Sequence, residues 1–266
     1  KGAFGTPNLL SVENICYRTR ILARQMTFGR YPMDSPRGAK CIVLWGHNPD
    51  GSKGMLADMI REQVDKKETT LIVINPRRIR LSEKALQLAP RPGTDAAIGL
   101  AMLNVIINEG LYDREFVENY TVGFEELKQH VQQYTPEWAE QVTWVPASDI
   151  KACARIYAQA SPACIVQGIN TLDQHVNGLQ NSRLLSILQI VTGNIDKPGS
   201  WVTIPYIRLA DLRIPIQEKP IGADQYPLFY ELWGRVSPYG IATLFPQAAL
   251  EGRPYPLRAS LLAAAN

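Results

Sequence analysis

Two short apolar runs, each closed by a polar turn, constrain the fold of this chain most strongly. The first run, residues 41–45, has the sequence Cys-Ile-Val-Leu-Trp, and the second, residues 70–74, has the sequence Thr-Leu-Ile-Val-Ile. Runs of this length that are rich in Val and Ile and do not alternate with polar residues are typical of strands buried on both faces of a sheet. The sequence therefore predicts a parallel sheet that is covered by helices.

Helical segments alternate with such runs along the chain. Apolar spacing predicts helices over 53–66, 95–108, 146–160 and 178–192, with Ser52 as the cap of the first, and a third buried strand over residues 163–167. We expect a loop and a helix between the second strand and residue 90. The alternation indicates an α/β fold with a mostly parallel, doubly wound, Rossmann-like sheet and right-handed crossovers.

Turn signals and proline content suggest three parts. Residues 1–40 are expected to belong to an incomplete neighbouring domain, 41–160 to form the Rossmann-like domain, and 161–266 to form a second α/β segment. Prolines concentrate beyond residue 197, which predicts an irregular, Pro-rich C-terminal part with one short helix near 226–233. Both ends break off within expected structure, so we interpret the chain as an internal piece of a longer polypeptide.

The composition excludes several classes of protein. A net charge of +3 is too small to predict nucleic acid as a partner, and no apolar run reaches the ~20 residues of a membrane-spanning helix. The four cysteines lack a Cys-x-x-Cys spacing, so no iron–sulfur or zinc site is predicted within this stretch. No targeting segment is recognisable, and the sequence predicts no compartment.

The turn after the first strand carries groups that suit a ligand. Gly46 would permit close approach of a ligand to the backbone, Asn48 offers a donor and an acceptor, and Pro49 stiffens the turn, which also contains His47. The carboxyl ends of parallel strands are where open α/β sheets bind nucleotides. An ordinary strand-ending turn is the alternative interpretation.

Two further turns follow the same logic. Asn75 stands at the tip of the second strand, where a ribose hydroxyl is held in doubly wound folds, and Pro76 and Arg77 follow it. Gly93 precedes Asp95, a carboxylate that could accept paired N–H bonds from a guanine edge at the start of a helix. Solvated arginines and ordinary helix capping are the alternatives for these residues.

The order and spacing of five motifs resemble the molybdopterin oxidoreductases of the dimethyl sulfoxide reductase type. The likeness covers about residues 5–199. In chain order the motifs are Trp45-Gly-His-Asn-Pro49, Ile74-Asn-Pro-Arg77, Arg91-Pro-Gly-Thr-Asp95-Ala-Ala, Leu111-Tyr-Asp-Arg-Glu-Phe-Val117 and Thr192-Gly-Asn194.

The resemblance implies a prokaryotic enzyme that holds molybdenum or tungsten between two pyranopterin guanine dinucleotides. The turn at Asn48 then approaches the phosphates of one dinucleotide, the tip at Asn75 lies beside its guanosine, and Asp95 binds guanine. The family more often has Asp where this chain has Asn75. The cofactor-binding residues so implied are Gly46, His47, Asn48, Pro49, Asn75, Pro76, Arg77, Gly93 and Asp95.

Cys16 stands thirty positions before Gly46, about where the family places the side chain that binds the metal. The resemblance therefore implies that Cys16 is the metal ligand, and a thiolate is a soft ligand suited to this metal class. Tyr17 and Arg18 would then lie close to the substrate. A buried structural thiol is the alternative for Cys16.

The function implied is two-electron oxygen-atom or hydride transfer on a small substrate. The remainder of the polypeptide is expected to complete the site, with an iron–sulfur cluster upstream of this chain and an iron–sulfur electron-transfer subunit as partner. A redox-neutral tungsten hydratase of the same family is one alternative. A noncatalytic nucleotide-binding or subunit-contact domain is the other.

Overall fold

A computed structural model describes residues 4–169, 171–205, 214, 216–230 and 239–262. The backbone divides into two compact units. The smaller unit combines Lys1–Arg18 with Tyr206–Asn266, and the larger unit is Thr19–Pro205.

The larger unit is built on a parallel sheet of four strands. The strands of the unit are β1 (Met33–Asp34), β2 (Cys41–Trp45), β3 (Thr70–Ile74), β4 (Leu86–Leu88), β5 (Ala163–Gln167) and β6 (Trp201–Val202). The four-stranded sheet has the order β4-β3-β2-β5, and β1 pairs with β6 in a separate antiparallel ribbon. The α/β fold with a parallel sheet is therefore confirmed.

The three strands predicted from apolar runs are confirmed with the predicted bounds. All residues of β2 and β5, and all of β3 except Thr70, are buried. Burial of each Val, Leu or Ile side chain stabilises the fold by about 1.5–3 kcal/mol, so these runs form the centre of the core. The sheet spans the predicted domain boundary at residue 160 because β5 pairs with β2; the three-part division itself stays a prediction.

Helices connect the strands of the larger unit, and the last two helices of the chain belong to the smaller unit. In chain order they are α1 (Arg18–Phe28), α2 (Pro49–Ser52), α3 (Gly54–Asp65), α4 (Asp95–Asn108), α5 (Arg114–Tyr120), α6 (Phe124–His130), α7 (Pro136–Thr143), α8 (Ala147–Gln159), α9 (Gly178–Val191), α10 (Pro227–Phe229) and α11 (Phe245–Glu251). Helix α4 is buried along almost its whole length and packs against α7, α8 and α9. Its predicted bounds and those of α9 agree with the structure to within one residue.

Two predictions for the connecting segments are wrong. The helix expected over 53–66 is confirmed as α3, but its predicted cap is wrong: Ser52 ends the separate short helix α2, and the extended Lys53 (φ −147°) is the residue that precedes α3. The segment expected to be a loop and a helix contains β4, which pairs in parallel with β3. A 3₁₀ turn (Arg80–Lys84) precedes this strand.

The smaller unit is held together by Asn8. Its Oδ1 accepts the backbone N–H of Ile221 at 2.9 Å and the hydroxyl of Tyr255 at 3.1 Å. Of the short helix expected over 226–233, the structure shows α10, and residues 231–233 lie outside the described part of the chain. Among the helices that the structure describes, none is long and apolar enough to cross a bilayer.

Candidate functional site

The polar turns gather at one edge of the sheet. Strands β2, β3 and β5 run parallel, so the chain leaves all three at the same edge, after Trp45, Ile74 and Gln167. The chain passes from β2 to β3 and β4 on one side and then returns to β5 on the other side. The crevice at such a reversal of strand order is where open α/β sheets bind ligands.

The turn after β2 and the loop after β5 pack directly on each other. The Thr171 hydroxyl donates to the Gly46 carbonyl at 2.8 Å. Gly46 has φ +59°, and a Cβ at this position would lie 2.4 Å from the Thr171 side chain. A Cβ on Gly168 would lie 1.9 Å from the Gly46 carbonyl oxygen. The two backbones thus need glycine to approach each other, whereas the predicted approach of Gly46 to a ligand stays a prediction.

His47 is buried within the turn after β2. It is 8% exposed, its Nε2 lies 3.4 Å from the Ser52 hydroxyl, and its Nδ1 has no hydrogen-bond partner among the described residues. Burial lowers the pKa of His47, with a smaller contribution from Lys53, so the ring is neutral at neutral pH. Asn48 is exposed and Pro49 begins α2.

Asp95 is a buried acid at the first position of α4. It is 6% exposed, and its Oδ1 accepts the indole N–H of Trp45 at 2.9 Å. Burial raises the pKa of Asp95, while the bond from Trp45 and the nearby His175 act against that rise. The amino end of a helix favours a negative charge, which also opposes the effect of burial on this carboxylate.

The loop after β5 also reaches the turn that precedes α4. Gly93 has φ +83°, and the Nε2 of His175 lies 3.3 Å from the place where a Cβ of Gly93 would stand. The Nδ1 of His175 accepts the backbone N–H of Asn177 at 3.2 Å. No residue of this loop is among the predicted cofactor-binding residues. The sequence does carry a signal for this loop, because it follows a predicted buried strand, as the turns at Gly46 and Asn75 do.

Asn75 forms a local turn at the tip of β3. Its Oδ1 accepts the backbone N–H of Arg77 at 2.9 Å, which closes an Asx turn. An Asp side chain could accept the same bond. The turn can therefore form with Asn75 as well as with the Asp that is more common in the family. Pro76 and Arg77 are exposed.

Arginine side chains give this edge a positive charge. Arg77, Arg78 and Arg91 are exposed, and within the described part of the chain none of them forms an ion pair. The guanidinium of Arg91 lies 5.5 Å from the centre of the Trp144 ring, and its backbone N–H donates to the Thr143 carbonyl at 2.9 Å. These cations stand on the turns after β3 and before α4, where an anionic ligand would meet them.

The smaller unit contains the predicted metal-ligand segment. Cys16 is half-buried and forms no disulfide, Tyr17 is half-buried, and the buried Arg18 places its guanidinium 5.1 Å from the centre of the Tyr239 ring. The described residues include no group of three or more His, Cys, Asp or Glu arranged around a metal site. Ligation of a metal by Cys16 stays a prediction.

The other three cysteines are buried in the larger unit, and desolvation raises the pKa of the Cys41 thiol to about 12. They are therefore small apolar core residues, as their positions within or next to apolar segments indicate.

Comparison with known proteins identifies the family. A family model described as molybdopterin oxidoreductase matches residues 27–219. This chain belongs to the molybdopterin oxidoreductase family. Acetylene hydratase of Syntrophotalea acetylenica is 33% identical over 233 residues, which cover 84% of this chain and 32% of the relative. Formate dehydrogenase H of Escherichia coli (strain K12) is 38% identical over 162 residues, covering 60% of this chain and 22% of the relative.

The solved structure of acetylene hydratase from Pelobacter acetylenicus has the same fold. It superposes with a TM-score of 0.82 at 29% identity, covering 96% of this chain and 39% of that structure. This molybdopterin oxidoreductase chain thus spans well under half the length of the relatives it matches. Membership implies a molybdopterin cofactor with molybdenum or tungsten.

Proposed function

We propose that the protein to which this chain belongs is a molybdenum- or tungsten-dependent oxidoreductase, and that the crevice holds the nucleotide end of a pyranopterin guanine dinucleotide. The parent enzyme would perform two-electron oxygen-atom or hydride transfer on a small substrate. The observation that carries the proposal is the buried carboxylate of Asp95. It is held by the indole N–H of Trp45 at the edge where the polar turns meet.

The chemistry of the crevice fits such a ligand. Guanine presents two neighbouring N–H donors on its Watson–Crick edge, N1–H and N2–H₂, and a carboxylate is an acceptor for both. Arg77 and Arg91 are exposed cations that would hold the diphosphate, and guanidinium groups bind phosphate oxygens in pairs. The Nδ1 of His47, for which the described residues offer no partner, and the amide of Asn75 would complete the contacts to phosphate and ribose.

The metal centre of the bound cofactor would supply the redox chemistry, and the protein would supply binding, orientation and one ligand. We propose Cys16 as that ligand, because a thiolate suits this metal class, with Tyr17 and Arg18 beside the substrate. An iron–sulfur cluster upstream and an iron–sulfur electron-transfer subunit would carry electrons to and from the centre.

The metal assignment is tested on the full-length parent by elemental analysis for molybdenum and tungsten. Cys16→Ala is expected to lower the metal bound per protein about tenfold or more, since even groups that only support a ligand change affinity 10–100-fold. The nucleotide released by acid from the same sample should fall less, because the crevice is intact. Wild-type metal content in Cys16→Ala would contradict ligation by Cys16.

The nucleotide assignment is tested by replacing Asp95. Asp95→Ala is expected to lower the guanine nucleotide released per protein. Asp113→Ala is the matched control, because Asp113 caps α5 by accepting the backbone N–H of Phe116 at 3.0 Å. Both variants lose a carboxylate at the amino end of a helix. The cap of Asp113 is worth about 0.5–2 kcal/mol, and Asp95→Ala also loses the bond from Trp45, so nucleotide content is compared per folded protein. Equal nucleotide content in the two variants would exclude Asp95 as the guanine-binding group.

A second function is favoured by one observation. The sequence match to acetylene hydratase covers 84% of this chain, and the structural match covers 96% of this chain. A redox-neutral hydration needs no external electron acceptor or donor, whereas oxidation of formate needs an acceptor. Turnover of acetylene by the parent without any acceptor would favour the hydratase. If the parent bound neither metal nor nucleotide, this chain would instead be interpreted as a noncatalytic subunit-contact domain.

A further inference from the structure

A buried ion pair anchors the loop that follows β5. This crevice loop comprises residues 168–177, of which Asn170 lies outside the described part. The Nη2 of Arg20, on α1, donates to the Asp173 carboxylate at 2.8 Å and to the Gly168 carbonyl at 2.7 Å. The Arg20 and Asp173 side chains are 8% and 0% exposed. One guanidinium thus binds the loop at its first residue and again five residues later.

Further donors converge on the same carboxylate. The Ser182 hydroxyl donates to Asp173 Oδ1 at 3.0 Å, and the Gln167 amide lies at 3.3 Å. The carboxylate therefore joins α1, β5 and α9. The end of the loop is equally close-packed, since a Cβ on Gly178 would lie 2.2 Å from the Asp173 carbonyl oxygen. Burial raises the pKa of Asp173, and Arg20 is the largest influence opposing it.

The anchored loop contacts two of the turns that form the crevice. Near its start, Thr171 bonds the Gly46 carbonyl in the turn that contains His47. Near its end, His175 lies against Gly93 in the turn that leads to Asp95. A shift of the loop would change the distance between these two turns, because their shared neighbour would move.

We propose that Arg20 is a positioning residue for the cofactor. Through Asp173 and Gly168 it fixes the crevice loop, and the loop sets the shape of the crevice that retains the nucleotide. This inference rests on the proposed function, because it presupposes that a pterin guanine dinucleotide occupies the crevice. The competing interpretation is an ion pair that contributes only to folding.

The energetics of buried ion pairs allow a positioning role of Arg20 to be separated from a role in folding alone. Removal of one partner leaves a buried charge unpaired and destabilises strongly, whereas replacement of both partners by apolar residues of similar size is often neutral. In the double variant Arg20→Met/Asp173→Leu, stability should therefore recover in part, because no charge is left unpaired, although the Gly168 carbonyl and the Ser182 hydroxyl lose these bonds. The bonds to the loop carbonyl and to Ser182 are absent in it, so the position of the loop should not recover.

The experiment compares the full-length wild-type holoenzyme with the two single variants and the double variant. It records the melting temperature of each and the half-life of bound guanine nucleotide and metal during dialysis. We expect both single variants to melt at lower temperature. The double variant should melt above both single variants yet lose cofactor about tenfold faster than the wild type, because loss of supporting groups around a site commonly changes affinity 10–100-fold. Cofactor loss at the wild-type rate in the double variant would overturn the proposal.

A milder pair of variants decides the matter if the double variant does not fold. Ser182→Ala removes one donor to Asp173 without leaving a charge unpaired. Ser186→Ala is its matched control, because this buried hydroxyl, one turn later on α9, donates at 3.1 Å to the Ser182 carbonyl and not to the loop. We expect cofactor loss about threefold faster in Ser182→Ala only. Equal rates in both variants would overturn the proposal.

The wild-type sample separates this inference from the proposed function. If the wild-type holoenzyme releases no guanine nucleotide, the proposed function fails, and the inference fails with it. If the wild type releases guanine nucleotide and all variants retain it equally, the proposed function stands and only the role of Arg20 is refuted.

Discussion

Trp45 connects the core of the protein to the candidate site at the scale of a single side chain. It is fully buried in β2, and its indole N–H is the donor that holds Asp95. Trp45→Phe removes that donor and keeps an aromatic ring in the core. A hydrogen bond to a charged group contributes about 1.5–3 kcal/mol, so we expect a loss of this size in urea unfolding. The guanine nucleotide content should fall as well.

Trp201→Phe is the matched control for this prediction. Trp201 is also fully buried, and its indole N–H donates to the backbone carbonyl of Ile165 at 2.7 Å. We expect this variant to lose about 1 kcal/mol of stability and to keep its nucleotide, because its donor does not reach Asp95. If both variants lost nucleotide equally, the bond from Trp45 would have no specific role in binding.

His47 should make stability depend on pH. Burial lowers its pKa in the folded state, so the unfolded chain binds a proton more readily. Its contribution is therefore complete above about pH 6.5, the pKa of a free His, and is lost as the pH falls towards the lower folded value. We expect the urea midpoint to decrease over this acid range in the wild type and to decrease less in His47→Gln.

The matched control for the pH experiment is His130→Gln, since His130 is exposed on α6. It should leave the pH dependence unchanged. Identical pH profiles for the wild type and His47→Gln would show that protonation of His47 does not oppose folding.

At the scale of the elements, the close contact between the crevice loop and the turn after β2 depends on Gly168. In Gly168→Ala the new methyl group would meet the Gly46 carbonyl oxygen, so the crevice loop or the turn after β2 must move. Overpacking of this kind costs about 1–3 kcal/mol, which thermal or urea unfolding would detect. Gly54→Ala is the control, because a Cβ there meets nothing within 4 Å, and its stability should stay within about 1 kcal/mol of the wild type. Equal stability of the two variants would contradict this account.

The sequence predicted the elements whose information is local. β2, β3 and β5 are short apolar runs, and a central strand of a parallel sheet is the element that buries such a run on both faces. β4 was missed because a three-residue segment with Gln87 at its centre has no strand pattern of its own and is a strand only through pairing with β3. The short helix α2 was missed because its four residues, Pro-Asp-Gly-Ser, carry turn signals and no apolar spacing.

The same distinction holds for the candidate site. Strand-ending turns are visible in the sequence, and the structure brings them to one edge of the sheet. The bond from Trp45 to Asp95 joins residues fifty positions apart, and the ion pair of Arg20 with Asp173 joins residues 153 positions apart. Such contacts arise from packing, and local periodicity carries no information about them. The placement of the candidate residues at the strand ends was therefore predictable, whereas the residues that hold them in place were not, and ligand binding by the candidates stays a prediction.

At the scale of the whole molecule, the larger unit closes its core within itself. Both sheets, including the ribbon of β1 and β6, lie within Thr19–Pro205. The buried guanidinium of Arg24 donates to the Pro32 carbonyl at 2.5 Å and lies 3.7 Å from the centre of the Trp201 ring, which ties α1 to that ribbon. Because these contacts lie within the larger unit, we expect that unit to unfold cooperatively.

We therefore expect a polypeptide of residues 19–205 to fold without the rest of the chain. Far-ultraviolet circular dichroism and tryptophan fluorescence should report a single, coincident unfolding transition, because the sheet and its covering helices are all present. Under the proposed function this polypeptide should bind guanosine diphosphate and lose that binding in Asp95→Ala, since the three turns lie within it. It should bind no molybdenum or tungsten, since Cys16 lies outside it. Transitions that differ between the two probes would show that the core needs residues of the smaller unit.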